Sequence, residues 1–402
     1  MKMRLFLLAG IVTGIAASIV ACAEDGGVSS TPEPEPERVV PESEGSADAG
    51  MDAEAGVCDD CELFPDVCSE DALCPNGPFE PATVGGAFDA RARVYAITGR
   101  SASDVWVAGA LGMLAHFDGT SWSRSASGTR ETMRALWIRA NDEVAFGRPE
   151  VPYTRGIEVA DAAGTSDGGW SVQAPVTMVA AYRNSGKYLK SAWAPEGAEW
   201  LWLATESVGE NDATSGLWRL RRAPSGIFEI ADGIPWSACG YFGCRKLTKI
   251  HGSSADDLWA VGPAGMAVHV TGAQGDAPVA TPHNSRTTNA LRGVWAASPT
   301  DVWAVGGMGT IRHYTGDPGG WDVVADVPTS ATLNAVWGIS ATDIWAVGER
   351  ATVLHYDGKS WSRVKVAGLE ARRPDLDVVW SPGPGHLWIG GQGVVLSLGG
   401  KP

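Results

Sequence analysis

Seven histidines and a set of recurring aspartates are the residue types in this chain that invite a catalytic or metal-binding reading. Their spacing argues against it. His116, His269, His313 and His355 hold one position in four copies of a repeated stretch. Asp104, Asp142, Asp257, Asp301 and Asp343 hold another. A zinc site or a catalytic triad must converge on one point, whereas residues copied once per repeat are spread apart. His251 stands where other copies carry Trp, His386 where they carry Asp, and only His283 is off the pattern. The expectation is a protein without metal, cofactor or catalytic centre, the aspartates serving as turn residues that bond nearby backbone amides.

The cysteines suggest different chemistry. Cys58, Cys61, Cys68 and Cys74 lie in CDDCELFPDVCSEDALC, and Cys239 and Cys244 in SACGYFGCRK. The first cluster is acidic, lacks His, and has no second CxxC to complete a zinc set. Behind the export signal described below, two disulfides are expected there, with three connectivities open, and a small closed loop at Cys239 and Cys244.

The repeated stretch reads most clearly as LNAVWGISATDIWAVGERATVLHYDGKSWSRV, Leu333 to Val364. Four short runs rich in β-branched and aromatic residues are bounded by turn residues, which predicts strands over 333–337, 343–347, 352–356 and 361–364. Gly348 offers backbone freedom in the second turn. Asp357-Gly358 is a hairpin signal in the third. Aligned on the second strand, copies begin at Asp104, Asp256, Asp301 and Asp343, with worn ones at Asp142, Glu199 and His386. The last intervals are 42–44 residues, the length of a propeller blade. A four-stranded unit cannot cover both its faces alone and must pack between neighbours. The prediction is an all-β propeller, residues 79–402, with seven blades of four antiparallel strands; the wear in the second and third units leaves six or eight open. The last unit ends after its third strand, so a strand from the N-terminal side should complete it. Phe79 to Val84 is the expected donor.

Lys2 and Arg4 precede an apolar run from Leu5 to Val20, a signal-peptide pattern over 1–21. The run ends Ile19-Val20-Ala21-Cys22, which resembles a bacterial lipobox; the resemblance implies a lipid on Cys22. A plain cleaved signal is the alternative. Residues 22–57, with TPEPEPE from Thr31, have the low hydrophobicity and acidic charge of an unstructured, extended tether. The Cys-rich segment follows at 58–78. A net charge of −16 and a pI near 4.9 argue against nucleic acid or an anionic lipid face as partner. The expected location is the cell envelope, lipid-anchored in the outer membrane, as a monomer.

The motifs VWAVG, HYDG and the turns DGTSW at Asp118 and DGKSW at Asp357 resemble the broad class of Asp-box, photosystem-assembly-factor-like and WD40-like propellers, in the exported bacterial style. That resemblance implies the fold and leaves the activity open. In such rings ligands sit where the loops entering strand one and joining strands two and three meet the channel. Loops at Glu150–Arg155, Tyr182–Lys187, Val208–Ser215 and Ile234–Lys246 depart from the repeat there. Trp236 and Tyr241, both off the repeat, are candidate contacts. The second residue of each first strand is polar: Tyr95, Arg134, Lys190, Thr248, Arg292, Asn334 and Asp377. They predict a polar ring at the channel mouth, able to hold a carboxylate or sulfate between Arg134 and Arg292; solvated channel walls are the alternative. The reading is a propeller that binds an envelope protein or glycan. A sialidase-like hydrolase or lyase and a structural spacer are its rivals.

Overall fold

The computed structural model describes residues 61–157, 164–184, 187–207, 214–239 and 244–401. The signal sequence, Cys22, the tether, Cys58 and Tyr241 lie outside these residues. Among the described helices none is long and apolar enough to cross a membrane.

Seven sheets form a ring. Blade 6 shows why each forms: its strands are Leu333–Ser340, Asp343–Gly348, Val353–Tyr356 and Trp361–Arg363, paired antiparallel in chain order. Val336, Ile344, Ala346, Leu354 and Trp361 bury against Trp303 and Val305 of blade 5. Tight turns let the chain reverse. Gly358 has φ +88°. Gly348 has a different reason from the one expected: a Cβ there would lie 2.0 Å from the Thr332 carbonyl oxygen. The left-handed residues of that turn are Arg350 and Ala351.

Blade 1 comprises Val94–Ser101, Asp104–Gly109, Leu114–Phe117 and Trp122–Arg124. Blade 4 comprises Lys249–Ser254, Asp257–Val261, Met266–Thr271 and Val279–Asn284; blade 5 comprises Leu291–Ser298, Asp301–Gly306, Ile311–Tyr314 and Asp322–Val323. Blade 2 comprises Ala135–Ile138, Glu143–Phe146, Tyr153–Arg155 and Ser171–Val172. Thus part of the loop expected at 150–155 is its third strand. Blade 3 comprises Lys187–Trp193, Leu201–Ser207, Leu217–Arg222 and Phe228–Asp232, with Thr177–Met178 added parallel outside.

Blade 7 closes the ring. Leu376–Gly383, His386–Gly391 and Val394–Leu398 are completed by Leu73–Pro75, antiparallel to Val394–Leu398. An N-terminal strand therefore supplies the closure as expected, but the donor is not Phe79 to Val84. Pro81 interrupts that stretch with no N–H to donate, and Val84 instead bridges Ser123 on the rim of blade 1 and stays exposed. Leu73 and Cys74 are fully buried. Asn76 clamps the join: its Nδ2 donates to Ser397 Oγ at 3.0 Å and to the Gly400 carbonyl at 3.1 Å. Disulfides join Cys68 to Cys74 and Cys239 to Cys244, with Cα separations of 5.8 and 5.7 Å.

Candidate functional site

The repeated His and Asp form one unit. His116, His269, His313 and His355 approach Asp104, Asp257, Asp301 and Asp343 through Nε2 at 2.8, 2.7, 2.7 and 2.9 Å. Each pair is 12 residues apart and lies within its own blade. Each imidazole stacks on the second-strand Trp of its blade, Trp106, Trp259, Trp303 or Trp345, at 3.9–4.5 Å. The carboxylate orients the ring and the ring covers the indole, so these groups hold strands two and three together. Among the described residues no cluster of three metal-binding side chains occurs.

The channel is built by the seven first strands in register. It encloses about 320 Å³. Its walls form layers. Three positions along the first strands from the polar one is an aromatic girdle of Trp137, Trp193, His251, Trp337 and Trp380. Between the two come small or aliphatic residues such as Ala96, Ala135, Val336 and Val379, interrupted by Lys249.

The polar positions predicted at the mouth divide into two groups. Tyr95, Arg134 and Lys190 border the channel. The Arg134 guanidinium lies 4.9 Å from the centre of the Tyr95 ring, and Lys190 Nζ is 2.8 Å from Glu206. On the other side the groups tie to one another. Arg292 donates to Asn334 Oδ1 at 3.1 Å, and Asn334 Nδ2 donates to the Leu376 carbonyl at 2.9 Å. Asp377 is 3.1 Å from Arg93, which also reaches Asp375 at 3.1 Å. Burial raises the Asp377 carboxyl to about 6, against the opposing pull of Arg93. Arg134 and Arg292 thus already have partners, Tyr95 and Asn334.

Trp236 stands elsewhere. It begins a short helix, Trp236–Cys239, and lines an outer hollow with Trp218, Asp232 and Asp276. The Arg245 guanidinium sits 5.5 Å from its ring.

Two channel residues were not singled out from sequence as binding candidates. His251 is buried in the girdle and accepts the Ala296 N–H through Nδ1 at 3.2 Å. Burial, then the neighbouring Lys249 charge, lowers its pKa to about 3, so it is neutral at pH 7. Lys249 occupies the third position of its first strand, where the other blades carry Ala96, Ala135, Ser191, Gly293, Ala335 and Val378. The signal was present: one charged residue in a column of small ones.

Ring, layered channel and internal Asp–His–Trp units define a seven-bladed β-propeller. Solved structures agree. YCF48 from Cyanidioschyzon merolae matches at a TM-score of 0.57 and 14% identity, over 77% of this chain and 96% of that one. YCF48 bound to D1 peptide matches at 0.55 and 14%, over 81% and 96%. The WD40 propeller domain of Doa1 matches at 0.53 and 10%, over 80% and 96%. At these identities the likeness is one of fold. No family model and no curated protein sequence matches the chain.

Proposed function

We propose that this protein is a non-enzymatic cell-envelope lipoprotein, lipidated on Cys22, whose propeller binds a protein or glycan partner at one channel mouth. The observation that carries this reading is the mouth itself: Tyr95, Arg134 and Lys190, from three blades, border one cavity. Variable polar groups on a rigid frame are suited to recognition. A propeller of similar fold has been solved with a bound peptide, which favours a polypeptide partner. The tether would hold this surface clear of the membrane.

The test is capture from envelope extract and on a glycan array with the immobilised chain. Beside it run the Arg134→Ala/Arg292→Ala double variant and, separately, Trp236→Ala. A partner lost with the double variant and retained with Trp236→Ala supports the mouth. A partner retained by the double variant removes the mouth as the site.

A further inference from the structure

Among the described residues, Lys249 is a cation of the channel wall with neither a hydrogen bond, an ion pair nor an aromatic face; Arg134 has the Tyr95 ring. At the mouth, Lys190 has Glu206 and Arg292 has Asn334. Among the described residues no hydrogen bond or ion pair reaches the Lys249 ammonium. The opposing charge that acts on it is Asp377, on blade 7, and Asp377 is held by Arg93. His251, two residues on along the same strand, is neutral and turned to the Ala296 N–H. Burial accordingly lowers the ammonium's pKa, with only Asp377 opposing.

Lys249 is half-buried, and a charge held partly out of water without a partner carries a cost that an apolar side chain in the same position would not. Six blades place a small or apolar residue there. The ammonium borders a cavity that also carries Tyr95, Arg134 and Lys190 at its mouth and Trp137, Trp193, Trp337 and Trp380 in its wall. The cavity volume of about 320 Å³ falls at the small end of ligand pockets. A cation beside a set of tryptophans suits a guest with one negative group and a flat or branched hydrocarbon body.

We propose that the channel binds a small monocarboxylate with an apolar body, its carboxylate on Lys249 and its body against Trp137, Trp193, Trp337 and Trp380. This site lies below the mouth and does not depend on the mouth being a partner surface. The same carboxylate group is presented by a free organic acid or by the C-terminus of a polypeptide.

The experiment is calorimetric titration of the full chain with benzoate and with an acetylated dipeptide ending in phenylalanine. Benzamide and the dipeptide amide are the neutral controls. The expected result is one-to-one binding of an acid, weakened at least about tenfold in Lys249→Met, as for the loss of a charge-assisted hydrogen bond. Benzoate binding identifies a free acid as sufficient; binding of the dipeptide acid alone identifies a chain terminus. Lys249→Met should melt no lower than the parent. If it melts lower, Ala96→Leu, which narrows the channel from blade 1 and leaves the charge in place, takes over and should weaken binding equally. The proposal is overturned if neither acid binds, if the amides bind as tightly as the acids, or if whichever variant folds normally binds like the parent.

Discussion

Blades 1, 4, 5 and 6 carry the Asp–His–Trp unit, and blades 2, 3 and 7 do not. In blade 2 Thr154 fills the histidine position and Val144 the tryptophan position. Blade 3 keeps Trp202 but sets Arg219 opposite it, 5.8 Å from the ring. Blade 7 keeps Trp388 and sets Ser397 opposite, where it accepts from Asn76. The paired blades pin strand two to strand three from within. The others use what lies outside them: an added parallel strand in blade 3, the N-terminal strand in blade 7, and in blade 2 an ion network joining Arg100 and Arg155 to Glu143 at 2.7 and 3.2 Å. The repeat is thus a default, dropped where another contact replaces it.

The largest expected effect tests the point at which a paired blade departs from its own pattern. His251 is neutral when folded and free to take a proton when unfolded. Its folded pKa lies below the unfolded one, so acid favours the unfolded chain. The parent should lose stability as pH falls from about 6.5 toward about 3, by about 5 kcal/mol at most. His251→Asn keeps an acceptor near the Ala296 N–H and cannot titrate. Urea melts across this range should show a shallower acid slope; an unchanged slope would refute the assignment.

Next is the closure of an unpaired blade. Leu73→Ala removes a fully buried side chain and should cost about 3 kcal/mol, whereas Val84→Ala, on an exposed residue, should stay within about 0.5 kcal/mol. Equal midpoints in denaturant would show that the clasp contributes nothing. Third, His313→Ala removes both the Asp301 bond and the stack on Trp303, and should cost about 2 kcal/mol. The smallest effect comes from building the unit where it is absent. Thr154→His would face Asp142, whose Oδ1 lacks a hydrogen-bond partner, but over Val144 in place of an indole and at the loss of the Gln173 bond. It should change the melting midpoint by no more than about 0.5 kcal/mol equivalent. A gain as large as the His313→Ala loss would show that the indole base is dispensable.

The same comparison explains what was legible in the sequence. The second-strand motif carries fold information in nearly every blade, so the ring and its seven units could be read from it. The Asp–His bond could have been read as well, since the separation is 12 residues in all four cases; assigning the aspartates to turns hid it. The closing strand could not. Leu73–Pro75 is three residues long inside a cysteine-rich segment, too short for an alternation to stand out, and its identity depends on the burial of Leu73. At the channel, polarity at the second position of the first strands picked out Tyr95, Arg134 and Lys190, which border the cavity. It did not reveal that Arg292, Asn334 and Asp377 would bond to their neighbours, because those partners come from adjacent blades or from Arg93, outside the first strand. Lys249 and His251 were visible as departures from a column and carry weight only once that column lines a cavity.

The clasp also sets an order of events. Asn76 and Ser397 are 321 residues apart, so a chain growing from its N-terminus delivers one half of the closure long before the other. Until Val394–Leu398 has formed, Leu73 has no groove to enter and the last sheet presents an open edge, the kind of surface on which chains aggregate. A chain lacking Val394–Leu398 would leave Leu73–Pro75 without the strand it pairs with.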